Sequence, residues 1–218
     1  MASESRTGRG RRSSKARMEA FSDGVIAIAI TLLVLDLALR PPGDPLHQFL
    51  EGWPTYVAFV VSFVTIGSAW IDHNALTEEL ERVDSVLLRL NLVFLLLVVF
   101  LPYPTRLVAQ GLEETIAPER VAAVVYGLTL VAIQLSFAAL AGYARRAHLL
   151  GSTGDPVLGE ERWKLRYAVA AYAVTIGVAF VWPSVAVVLY AGVAIFLIVP
   201  FWALRIGSVD EDPGDLPL

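Results

Sequence analysis

Three titratable groups stand inside apolar stretches of this sequence, where a charge is costly and usually has work to do: Asp23, Asp36 and His73. Groups of this kind relay protons, hold a cation or lock helices together through hydrogen bonds. Reactive chemistry has little else to draw on. No Gly-x-Ser-x-Gly, His-Glu-x-x-His or paired-aspartate motif is present, which argues against an intramembrane hydrolase or any other enzyme. The chain has no cysteine, so neither a disulfide framework nor a thiolate metal site is available. Its three histidines, His47, His73 and His148, are scattered, so no metal centre is expected and no cofactor is implied.

The elements that must carry these groups are membrane spans. Of the 218 residues, 56% are hydrophobic, gathered in long runs such as Leu90–Leu101 and Val121–Ala141. Crossing the hydrocarbon takes roughly 20 apolar residues. The sequence divides into spans at 18–39, 53–73, 84–107, 118–143, 165–182 and 184–205, an all-α integral membrane protein of six helices. Pro41–Pro42–Gly43 ends the first span, and Pro102 and Pro104 should kink or end the third. Trp182–Pro183–Ser184 splits the last apolar stretch into a tight hairpin. Residues 1–16, rich in Ser, Gly and Arg, read as a disordered basic tail that sets topology, with no nucleic-acid partner. The helical domain spans 17–206, and 207–218 form an acidic tail. No convincing cleavable signal peptide precedes the first span, and no internal repeat is seen.

Basic residues fix the expected orientation. Arg6, Arg9, Arg11, Arg12, Lys15 and Arg17 precede the first span. Arg82 lies in the 2–3 loop with Arg89 nearby on the same side, Arg145, Arg146, Arg162, Lys164 and Arg166 lie at the 4–5 loop, and Arg205 at the C-terminal end. The other side has only Arg40, Arg106 and Arg120. Both ends are therefore expected in the cytoplasm, in the cell membrane of a bacterium whose arginine-rich composition suggests a GC-rich genome.

The first helix is the most informative. With about 100° per residue and Ile28 as origin, Leu32 falls near 40°, Leu35 near −20°, Phe21 near 20° and Gly24 near −40°, with Thr31 at the margin near −60°. These residues form one apolar stripe whose plainer reading is helix packing or lipid contact. Ser22, near 120°, and Asp23, near −140°, point away from it. Asp23 should be buried among partners at the same membrane depth, for which Trp70, Asp72, His73, Asn74, Asp84, Arg89 and Asn91 are the candidates. Such a network would tie the first helix to the second and third.

Arg17-x-x-x-Phe21-Ser22-Asp23, continued by Gly-Val-Ile-Ala-Ile-Ala-Ile-Thr-Leu-Leu-Val-Leu-Asp-Leu37, resembles the signature of the transmembrane protein 175 family of potassium channels and their prokaryotic relatives. Trp70-Ile-Asp-His73-Asn74, Arg82-Val-Asp84, Leu90-Asn91-Leu92 and Leu101-Pro-Tyr-Pro-Thr105 resemble its second and third helices. The resemblance covers roughly 17–105 and is diffuse beyond. It implies a single-repeat member that assembles as a homotetramer in the lipid bilayer, with the first helix of each subunit lining a central pore. It implies a passive channel for potassium and other monovalent cations, without a carbonyl selectivity filter. The family's constriction maps to Ile28, Leu32 and Leu35, and a threonine implicated in selectivity maps to Thr31. Arg17, Phe21, Ser22, Asp23, Trp70, His73 and Asn74 map to the signature and its structural network. Against this stand a proton-conducting channel, or a proton-coupled carrier, built on buried Asp and His residues.

Overall fold

In the computed structural model, residues 2–37, 44, 46, 53–111, 116–151 and 155–198 are described, with side chains at 14–35, 37, 44, 46, 55–110, 119–151 and 167–196, so Asp36, Arg162, Lys164 and Arg166 are described by backbone alone. The tail at 207–218, the Pro41–Pro42–Gly43 stop, Arg40 and Arg205 lie outside the described residues. The described elements are helical throughout: α1 (Ala2–Leu32) followed by a 3-10 turn Leu33–Leu37, α2 (Trp53–Glu79), α3 (Ser85–Phe100), α4 (Pro102–Gly111), α5 (Ile116–Arg146), α6 (Asp155–Ala179) and α7 (Pro183–Ile198). The helical backbone of α1 runs back through the basic segment, so residue 17 marks no element boundary.

Among the described residues, four helices are long and apolar enough to cross a membrane: Ser14–Leu35, Thr55–Glu79, Ser85–Gln110 and Glu119–Arg146. The apolar parts of α6 and α7 are shorter, Tyr167–Ala179 and Pro183–Phe196. Together they make six hydrophobic helical segments, because α3 and α4 form one span broken at Pro102. There the proline cannot donate to the helix ladder, so Leu101 N bonds Val98 O at 3.2 Å and the helix restarts with Thr105 N to Leu101 O at 3.1 Å. Pro183 likewise opens α7, where its missing donor costs nothing, after a turn at Phe180–Trp182.

Helix α5 is the hub, packed against α2, α3, α4, α6 and α7, while α1 lies chiefly against α2 and α3. Between the hub and α7 the approach is close. A Cβ on Gly127 would run into the Tyr190 hydroxyl and come within 2.6 Å of Ile176 Cγ1, so only glycine lets Tyr190 pass. The Tyr190 hydroxyl then donates to Ala123 O at 3.1 Å, and its ring meets Tyr126 edge-on at 5.4 Å. Tyr126 also joins a buried hydroxyl trio: Ser62 Oγ lies 2.7 Å from Thr105 Oγ1 and 2.9 Å from the Tyr126 hydroxyl, linking α2, α4 and α5. In hydrocarbon such groups must satisfy one another, and this trio does.

At one end of the bundle the 2–3 and 5–6 connections clasp. Leu80 and Leu150 form an antiparallel bridge, with Glu81 N to Leu149 O and Gly151 N to Glu79 O both at 2.9 Å. Arg82 Nη2 donates to His148 O at 2.8 Å. His148 has φ 51° and ends α5 as its left-handed residue, with Leu149 N returning to Ala144 O at 2.9 Å. Asp84 caps α3 through Val86 N and Leu87 N, and receives the Tyr143 hydroxyl at 2.6 Å. Lys15 Nζ reaches Glu78 O at 2.9 Å, which brings the start of α1 to this same end. At the other end Ser184 Oγ donates to Glu119 Oε1 at 2.5 Å. Lys15, Arg82, Arg145 and Arg146 thus lie at one end of the bundle.

Candidate functional site

Helix α1 has two unlike sides. Met18, Ser22, Ile26, Ala29 and Leu33 recur at three- and four-residue steps and are buried against α2 and α3. On the other side Phe21, Ile28, Leu32 and Leu35 stand open. Ile28 is 59% and Leu35 63% exposed, against 2% for Ile26 and 1% for Leu33. Thr31 and Gly24 are exposed as well. The apolar stripe read from the sequence is therefore the side of α1 that no other described part of the chain covers.

Thr31 Oγ1 donates to Ile28 O at 2.8 Å. Its hydrogen is spent on the helix, so the hydroxyl can offer only lone pairs outward.

Behind the stripe sits a polar lock. Asn91 of α3 donates through Nδ2 to Ser22 Oγ of α1 at 2.9 Å, and its Oδ1 lies 2.8 Å from His73 Nε2 of α2. Since the Asn91 amide nitrogen serves Ser22, its oxygen must accept, which places the proton on His73 Nε2. The His73 ring stacks on Phe94, 4° from parallel with centroids 5.5 Å apart, so the imidazole is held on its flat side too. All three polar side chains are buried. One residue from each of three helices fixes the rotation of α1, and hence the direction in which Ile28 points.

Asp23 departs from expectation. It is exposed, not buried, and its Oδ1 accepts from Trp70 Nε1 at 2.9 Å at the edge between α1 and α2. The reason is one step of helix rotation: Ser22 faces into the three-helix contact, and Asp23, about 100° further round, faces out of it. Asn74 is also outside the lock, since its Nδ2 donates within α2 to Glu78 Oε1 at 3.0 Å. Arg17 is exposed. Asp36 is among the residues whose side chains are not described. Among the described residues no group of three or more His, Cys, Asp or Glu could hold a metal ion. The hydroxyl trio at Ser62, the Asp84–Tyr143 bond and the loop clasp had no signal in the sequence beyond polar residues set in apolar runs.

Residues 17–102 match the family described as endosomal/lysosomal potassium channel TMEM175. A protein named as a potassium channel from Streptomyces collinus is 42% identical over 170 residues, covering 76% of this chain and 82% of that one. The crystal structure of a lysosomal potassium-selective channel TMEM175 homologue from Chamaesiphon minutus matches with a TM-score of 0.71 and 32% identity, covering 90% of this chain and all of that one. A Gallus gallus protein named as an endosomal/lysosomal proton channel TMEM175 is 36% identical over 113 residues, 47% of this chain and 23% of its own length. The matched segment begins at Arg17 and takes in the open stripe, the lock and the proline break, and the chain belongs to the TMEM175 family.

Proposed function

We propose that the protein is a passive, potassium-permeable cation channel in which four copies of α1 surround one pore. The observation that carries this reading is the open stripe of Ile28, Leu32 and Leu35 on a helix whose opposite side is rigidly held. Four such stripes about an axis form stacked rings of branched apolar side chains. An ion sheds water into such a throat only at high cost, so the rings close the pore by dewetting. A small widening or rotation admits water and conduction follows. The outward lone pairs of Thr31 supply oxygen ligands for a partly dehydrated cation beside the Ile28 ring. The names of its relatives, potassium channels among them, support this use of the stripe. The protein sits in the cytoplasmic membrane with both termini inside, an orientation supported by Lys15, Arg82, Arg145 and Arg146 gathered at one end of the bundle.

The test is purified protein in planar bilayers under opposed potassium and sodium gradients. A current that reverses near the potassium equilibrium potential and rises without saturation supports the channel. Slow, saturable flux supports a carrier.

A second reading, proton conduction, draws on His73 lying behind the stripe and on relatives named as proton channels. A current that follows an imposed pH gradient in the absence of permeant metal cations would favour it.

A further inference from the structure

Two exposed ionic groups inside the candidate spans of the single chain have no ion-pair partner among the described residues. Asp23 has its Oδ1 on Trp70, and its Oδ2 makes no hydrogen bond among the described residues. It lies well inside the span Ser14–Leu35 and is exposed. Arg89 lies inside the span Ser85–Gln110, is exposed, and has no partner among the described residues. A carboxylate at this depth cannot rest against acyl chains, so protein or water must cover it.

The two groups match in depth. The Ser22–Asn91 hydrogen bond ties the level of α1 to that of α3. Asp23 is one residue beyond Ser22 and Arg89 two residues before Asn91, an offset of about 4.5 Å along helices that rise in the same direction. An arginine side chain spans that distance.

Each charge also ends an exposed apolar stripe. On α2, Val60, Phe63, Trp70 and Ile71 are exposed on one side, with Asp23 bonded to Trp70 at the clasp end. On α3, Arg89 is followed by Leu92, Val93, Leu96 and Phe100 on one side, all exposed. α2 and α3 both pack on α1 and scarcely touch each other, so the two stripes flank α1 with oppositely charged tips, an arrangement suited to a head-to-tail contact that closes into a ring. Among the described side chains of α1 the exposed cation is Arg17, which projects on the Ile28 side, about 120° from Asp23.

We propose that the α2 stripe of each subunit seats on the α3 stripe of the next, with Asp23 paired to Arg89 of that second copy. The inference rests on the four-fold reading above and deepens it. It names the faces that meet and makes the exposed Asp23 an assembly residue, with Trp70 holding one oxygen so that the other is aimed outward. Positioned this way, the pair sets the angle between neighbouring α1 helices without itself lining the pore.

A charge-swap pair tests it. Asp23→Arg places two cations at every contact and Arg89→Asp two anions. Each variant alone should lose at least tenfold in the tetramer fraction measured by native mass spectrometry in mild detergent, where wild type runs at four times the 23.7 kDa chain. Co-expressed with different tags, the two variants should recover the tetramer, because in an alternating ring every contact again joins one carboxylate to one guanidinium. Variants that each assemble as wild type does would overturn the pairing, leaving Arg89 directed to the aqueous interface. Variants that fail alone and fail together would overturn it as well, placing both residues in the folding of one subunit. A monomeric wild type would instead sink the four-fold reading itself, so the two failures are told apart.

Discussion

Replacing Asn91 by leucine is the sharpest perturbation of the lock. The substitution keeps roughly the side-chain shape and removes both polar ends. Asn91 is 2% exposed, Ser22 0% and His73 1%, so neither lost partner can turn to solvent. Each stranded group in an aqueous-protein context would cost about 1–3 kcal/mol. Helix–helix hydrogen bonds in membranes are worth less, averaging about 0.6 and reaching about 1.7 kcal/mol, because the separated helices find other partners. Two such bonds give about 1–3 kcal/mol for Asn91→Leu. For a chain of this size that is a fall of about 3–10 °C in Tm. Fluorescence-detected unfolding in detergent measures it directly. A cycle with Ser22→Ala should show coupling, the double variant losing less than the two single losses together. Asn91→Leu as stable as wild type, or strict additivity with Ser22→Ala, would refute the lock.

Other outcomes follow from the same structure. Gly127→Ala should destabilise by about 1–3 kcal/mol through overpacking, and Tyr190→Phe in the same chain should recover part of it, because the new methyl group collides with the Tyr190 hydroxyl; detergent Tm values check both. Asp84 has its pKa held below the ordinary carboxylate value by the Leu87 N–H first and by the Tyr143 hydroxyl next. A depressed pKa stabilises the fold above the unfolded value and loses that contribution as pH falls through the lowered one. Asp84→Asn should therefore lower Tm at neutral pH and flatten the acid limb of the Tm–pH profile, and Tyr143→Phe should flatten it less.

Much of α1 was legible because helical rotation alone separates its faces. Phe21, Ile28, Leu32 and Leu35 share a side by arithmetic, and the structure leaves that side open. The same arithmetic put both Ser22 and Asp23 off the stripe, and the expectation that Asp23 is the one buried against α2 and α3 does not hold. That choice depends on where neighbouring helices lie, and it fell to Ser22. Likewise Trp70, His73, Asn74 and Asn91 share a depth, yet the structure divides them: His73 and Asn91 join Ser22, Trp70 goes to Asp23, and Asn74 turns to Glu78. The proline break at Pro102 and the turn before Pro183 follow from a missing backbone donor and needed no tertiary information. The Ser62–Thr105–Tyr126 trio and the Leu80–Leu150 bridge join residues far apart in the chain. Nothing local in a hydroxyl or a leucine announces such a partner.

The open side of α1 faces either a pore or lipid, and one substitution separates the two. Ile28→Asn exchanges a branched hydrocarbon for an amide at a position that is exposed in the single chain, so it can wet a ring without emptying a subunit core. Purified wild type and Ile28→Asn, reconstituted at equal density in potassium-loaded vesicles, should differ in ion efflux, with the asparagine variant leaking severalfold faster. Equal efflux from the two would contradict a hydrophobic constriction at Ile28 and turn that face toward lipid.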